Sequence, residues 1–137
     1  TTLDVYLTLN QWPEDKGDCA TADSRPATKS AARRRMARML CLDQDDLAPE
    51  DCRAMAAAVM DSQLDLLDKA LARVLKRQAA TNPYAIISGC GEFLARALVR
   101  RCAPHMHIES LRAAGDLNDS QCAPAHAVAV LARELCQ

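Results

Sequence analysis

The sequence predicts an α/β fold, rich in helix and with a small parallel sheet. Three observations lead there. Alanine and leucine dominate while aromatics make up only 3% of the chain and glycines number four, a balance that favours helix. Apolar residues recur at helical spacing over 29–41, 50–77, 92–101 and 120–135. A short apolar run at 84–88 reads as a buried strand, and 107–111 as a possible second one, set among those helices. Strand–helix–strand–helix order at the end implies a parallel βαβ unit with a right-handed crossover.

At 137 residues the chain has the length of one domain. A chain of that size buries roughly two-thirds of its unfolded surface and can build a core without staples. It divides into a loop and helical portion, residues 1–83, and a C-terminal βαβα portion, residues 84–137, together one domain or domain fragment. A formal net charge of −1 supplies no field to gather nucleic acid. No apolar stretch approaches the ~18 residues of a membrane span, and no export signal opens the chain, so a cytoplasmic protein is expected. The chain opens Thr1-Thr2 without a methionine, so further residues are expected upstream. Its seven cysteines are odd in number and none has CxxC spacing, which fits reduced thiols better than a disulfide framework or a zinc site.

The elements follow in order. Asp4-Val5-Tyr6-Leu7-Thr8-Leu9 alternates with period two, a strand-like pattern with a helical turn as its alternative. Asn10 to Pro26 is polar, holds two prolines and a glycine, and reads as a long loop. Lys29 to Cys41 reads as a helix with Ala32, Met36 and Leu40 on one face and Thr28 or Ser30 as its cap. Arg33, Arg34, Arg35 and Arg38 point in several directions and read as a solvated face rather than an anion site. Pro49 suits a first helical turn. The helix after it, from Glu50 to about Arg77, carries a stripe of Cys52, Met55, Val59, Leu66, Ala70 and Val74. Thr81-Asn82-Pro83 ends that helix. Tyr84 to Ser88 then has the continuous apolar character of a buried strand, Gly89-Cys90-Gly91 breaks it, and Glu92 to Arg101 resumes helical spacing. The last helix, Ser120 to Leu135, tolerates Pro124 only in its first turn.

The junction at 84–93 is the most informative stretch for function. Glycines at a strand-to-helix turn let the backbone bend sharply and approach a ligand with no Cβ in the way. The following helix offers unpaired N–H groups at its positive end. On spacing alone, Gly-x-Gly more often marks a tight βα turn without a ligand. Cys90 would sit at the helix start, a position that lowers a thiol pKa. In the loop before the first long helix, Asp23 and Arg25 stand two residues apart. They could hold a carboxylate or phosphate, or pair with each other to shape the loop, the commoner outcome. His105 and His107 would share a face of a strand, with no acid or cysteine at matching spacing to complete a metal set, so no metal is assigned. His126 reads as a packed histidine. No Ser/His/Asp constellation is present, and the catalytic residues are unassigned.

Four stretches in order carry a resemblance. They are Asp4-Val5-Tyr6-Leu7-Thr8-Leu9; Thr21-Ala22-Asp23-Ser24-Arg25-Pro26-Ala27-Thr28 with Met39-Leu40-Cys41 after it; Ile87-Ser88-Gly89-Cys90-Gly91-Glu92-Phe93-Leu94; and Ser120 to Leu131. Together they resemble the hydantoinase/oxoprolinase-like proteins attached to tetrahydromethanopterin-linked one-carbon transfer. Those are similar to the archaeal enzyme that joins an aminomethylfuran phosphate to a tyramine-glutamate in methanofuran synthesis.

The resemblance implies an actin-like ATPase-type (ribonuclease H-like) fold, with a nucleotide or phosphorylated substrate between two α/β domains. It places Ser88, Gly89, Cys90, Gly91, Glu92 and Phe93 at the turn lining that cleft. It matches Asp23 and Arg25 to a loop that usually reads Asp-Gly-Arg, with Ser24 here in the glycine's place. Ser120, Ala123 and Pro124 match the start of a terminal helix, as structural residues. The resemblance further implies ATP and magnesium as cofactors and a small phosphorylated molecule as substrate. The glycine-rich phosphate motifs of such proteins are absent, so this chain corresponds to roughly the last two-fifths of a full member. The missing N-terminal half of the same protein, or a second chain, is then a required partner, and a homo-oligomer is compatible with the reading. The expected function is the C-terminal lobe of a transferase or ATPase-type enzyme, inactive alone. The alternative is a non-catalytic binding or scaffolding module whose helices at 29–78 present a surface.

Overall fold

A computed structural model describes residues 1–77, 84–114, 120 and 122–135. The elements are α1 (Thr2–Thr8), α2 (Lys29–Met39), a 3-10 turn (Gln44–Asp46), α3 (Pro49–Arg77), β1 (Tyr84–Ile87), α4 (Glu92–Cys102), β2 (His107–Ser110), α5 (Leu111–Ala114) and α6 (Ala123–Leu135). The chain is therefore helix-rich α/β with a two-stranded sheet. Two compact units divide it, Thr1–Asp65 and Leu66–Gln137, with the boundary inside α3. The described helices include none long and apolar enough to cross a membrane.

In the first unit the core is built on α1, α2 and the start of α3. Val5, Met36, Ala37, Leu47, Cys52 and Ala56 form one buried cluster, and Leu7, Ala27 and Ala32 another. Small residues on α2 let α1 approach it closely, and Met36 fills the remaining space, its sulfur 3.8 Å from the Cys52 thiol. Thr28 caps α2, its hydroxyl accepting the Ala31 amide at 3.3 Å. The loop before α2 is pinned by an antiparallel bridge between Asp15 and Ala27.

The strand-like reading of residues 4–9 is corrected: Thr2–Thr8 is helical. Six residues of alternation fit either conformation. The outcome is decided by Asp4, whose buried carboxylate accepts the Thr1 hydroxyl at 2.7 Å and meets Arg35 of α2. The solvated reading of Arg35 is corrected for the same reason. Its side chain is 5% exposed, with Nε donating to Asp4 Oδ1 at 2.6 Å and Nη1 to Asp23 Oδ1 at 2.9 Å.

In the second unit β1 and β2 pair in parallel, Tyr84 with His107 through Ile87 with Ser110. Ala85, Ile87, Ile108 and Ser110 face inward, and Tyr84, Ile86, His107 and Glu109 face solvent. Parallel sheets are ordinarily covered on both faces. This one has a bare face, on which Ile86 is 70% exposed. His107 lies edge-on to Tyr84 and 2.9 Å from Glu109. His105 precedes β2 in a turn, so the expectation that the two histidines share a strand face is corrected.

The apolar stripe expected along α3 is buried at Cys52 but not further on: Leu66 is 66% and Val74 52% exposed. The terminal helix begins at Ala123 with Pro124 in its first turn. It buries none of its residues, and Val128, Leu131 and Leu135, on one face at helical spacing, are all exposed. Thr81-Asn82-Pro83 lies outside the described residues.

Candidate functional site at the glycine turn

The turn expected from the sequence forms between β1 and α4. Ile87 ends the strand buried, Ser88 and Cys90 are exposed, and Gly91 sits at the N-cap of α4. Gly89 has φ +88°, a left-handed conformation that any side chain would strain. Gly91 has φ −89°, open to every residue type, so its backbone does not demand glycine. A Cβ at either position would meet no atom within 4 Å. The outer surface of the bend is open, and a ligand could reach its backbone.

Beneath the bend, the Glu92 carboxylate is enclosed. Ser110 donates to Oε2 at 2.5 Å, Ser120 donates to Oε1 at 2.6 Å, and the Arg112 amide donates to Oε1 at 3.2 Å. The Ser120 hydroxyl in turn accepts the Gly89 amide at 3.0 Å. Glu92, Ser110 and Ser120 are all buried. Burial alone would push the Glu92 carboxyl up. The Ser110 and Ser120 hydroxyls outweigh it, helped by the amide and charge of Arg112, and hold the group below the ordinary carboxylate range. A carboxylate so stabilised, with both oxygens engaged, is a poor proton acceptor. Its chemistry here is to tie the start of α4 to the end of β2, the start of α5 and Ser120. Sequence reasoning placed Glu92 at the turn but missed both serine partners. The available signal was an acid in the first turn of a helix, where it complements the dipole.

Phe93 is half-buried on α4 behind the bend. Further along that helix, burial and a hydrogen bond to Asp68 push the Cys102 thiol up to about 11, which makes it inert at neutral pH. Among residues 88–93 the Gly89 amide is already donated to Ser120. These residues do not fit a magnesium ion, because the only carboxylate among them has no oxygen to spare.

Asp23 and Arg25 belong to the first unit. Asp23 accepts the Arg25 amide at 3.3 Å, and its Oδ2 lies 3.9 Å from Arg25 Nε, so the internal contact that shapes the loop is present. Its stronger partner is Arg35. Against burial, which would raise it, the Arg35 bond, the Arg25 amide and the Arg35 charge hold Asp23 below its usual range. Arg25 stays exposed. Between them Ser24 has φ +55°, the left-handed region where glycine is unstrained.

No family model matches the chain, and no curated protein searched matches it.

Proposed function

We propose that this chain is the C-terminal lobe of a hydantoinase/oxoprolinase-like enzyme of one-carbon cofactor biosynthesis, built on an actin-like ATPase-type fold. Its substrate is a small phosphorylated or ATP-linked molecule of the methanofuran-precursor type. The observation that carries this reading is the bend at Gly89–Gly91. It follows a parallel strand, opens a helix and leaves unused space above two glycines, the arrangement in which α/β folds hold phosphate. Gly91 is the sharper of the two, because neither backbone conformation nor local crowding accounts for the missing side chain.

Two further observations support the reading. The left-handed backbone at Ser24 falls at the position where the resembled loop carries glycine. The bare face of the sheet and the uncovered stripe on α3 suit a lobe that meets a further segment or a second chain. Such a lobe would bind but not turn over alone, since phosphoryl transfer needs groups positioned from both walls of a cleft. The Ser88, Cys90 and Gly91 amides would meet the phosphate while the Gly89 amide stays with Ser120, and Glu92 would hold the bend rather than touch the substrate. The expected compartment is the cytoplasm.

The second reading is a non-catalytic binding or scaffolding module. The observation favouring it is the exposed stripe Val128, Leu131 and Leu135 on α6, at the spacing of a helix that docks into a groove. Calorimetry with ATP and with furfuryl phosphate separates the two. Binding heat from either that is lost in Gly91→Leu supports the enzyme lobe. Absence of heat with both, for the chain alone and mixed with a chain bearing the glycine-rich phosphate motifs, supports the module.

A further inference from the structure

We propose that a cleft in the first unit binds a phosphate group. It has a volume of about 230 Å³, and its lining includes Lys29, Arg33 and Arg53 together with Thr8, Ser30 and Gln44, but no carboxylate. Three cations without an acid among the lining residues make a local field that the net charge of −1 conceals.

Arg33 is fixed in place. Its Nε donates to the Leu47 carbonyl at 3.0 Å and its Nη2 to the Gln44 carbonyl at 2.9 Å, which sets the guanidinium plane and leaves Nη1 without a partner among the described residues. A guanidinium held this way loses little entropy on meeting an anion. Lys29 and Arg53 are exposed, and neither side chain has an ion pair among the described residues. The cleft also lies between the starts of α2 and α3, whose first residues, Lys29 and Pro49, contribute to its wall. The Lys29 amide is already taken by Glu14 at 2.6 Å, so the anion would be met by the side chains of the cleft rather than by the start of α2. The volume falls below the roughly 300–1,000 Å³ of a drug-sized pocket. It suits a phosphate group with a small organic body rather than a whole nucleotide.

This cleft is built from residues of the first unit only and does not rest on the glycine turn. The test is amide NMR of the chain titrated with inorganic phosphate and, at matched ionic strength, with sodium chloride. Saturating shifts at Lys29, Ser30 and Arg53 with phosphate only are expected. Arg53→Gln should weaken binding about 10- to 100-fold, in keeping with loss of one charge-assisted bond. Arg38→Gln, an exposed cation on α2 outside the cleft, should change nothing. Non-saturating shifts, equal shifts with chloride, or equal weakening by the two variants would overturn the proposal. Shifts confined to Gly89–Glu92 would overturn it too, while leaving the function proposed above intact.

Discussion

Ser120 Oγ donates to the Glu92 carboxylate at 2.6 Å while accepting the Gly89 amide at 3.0 Å, so one buried hydroxyl ties the glycine bend to the start of α4. Removing that hydroxyl leaves an amide and a carboxylate oxygen without it. Ser120→Ala should destabilise the second unit by about 1–3 kcal/mol. Ser110→Ala, which removes the donor to the other oxygen, should cost a similar amount. Hydrogen exchange at residues 84–110 would reveal both losses. Unchanged protection would mean the carboxylate is satisfied in some other way.

The two glycines should separate. Gly89→Ala imposes a side chain on a left-handed backbone and should cost about 1–2 kcal/mol. Gly91→Ala meets neither strain nor crowding and should stay within about 0.5 kcal/mol of the parent. Ser24→Gly relieves a left-handed serine and should be neutral to stabilising, by up to about 1 kcal/mol after the added freedom of the unfolded chain is counted. Thermal melts of the three variants give the ranking.

The pair between Asp4 and Arg35 joins α1 to α2 in the first unit. Arg35→Met should destabilise by about 3–5 kcal/mol, because it leaves two carboxylates near each other without their cation. Asp4→Asn should cost less, since Asp23 still engages the guanidinium. Urea unfolding followed by circular dichroism measures the difference. Equal losses would indicate that Asp23 contributes nothing.

Stability should fall on both sides of neutrality. Glu92 and Asp23 are held below their ordinary range, so their contribution is complete above the unfolded carboxyl values of about 4 and is lost as pH falls through the folded ones. Cys102 is raised to about 11, so its share is complete below the unfolded thiol value and is lost as pH rises toward 11. A melting profile against pH should show a plateau between these limits.

Long periodic segments were legible in the sequence. Pro49 and the acids after it mark the start of α3, and the apolar run from Tyr84 with its glycine break marks β1, the bend and α4. What escaped was set by partners distant in the chain. Residues 4–8 became helix, and Arg35 became a core residue, through an ion pair spanning 31 positions. The burial of Glu92 escaped as well, because Ser110 and Ser120 are brought to it from 18 and 28 residues away. Exposure along α3 and α6 was equally illegible, because periodicity says which face is apolar and not what covers it.

The central claim is tested most directly by following the Gly89, Cys90 and Gly91 amides by NMR during titration with ATP and with furfuryl phosphate, in the parent chain and in Gly91→Leu. The account predicts saturating shifts at the three amides with at least one ligand. It also predicts their loss in Gly91→Leu, whose side chain fills the open space while the melting temperature stays near that of the parent. Amides that stay still with both ligands, or that move equally in the variant, would contradict it.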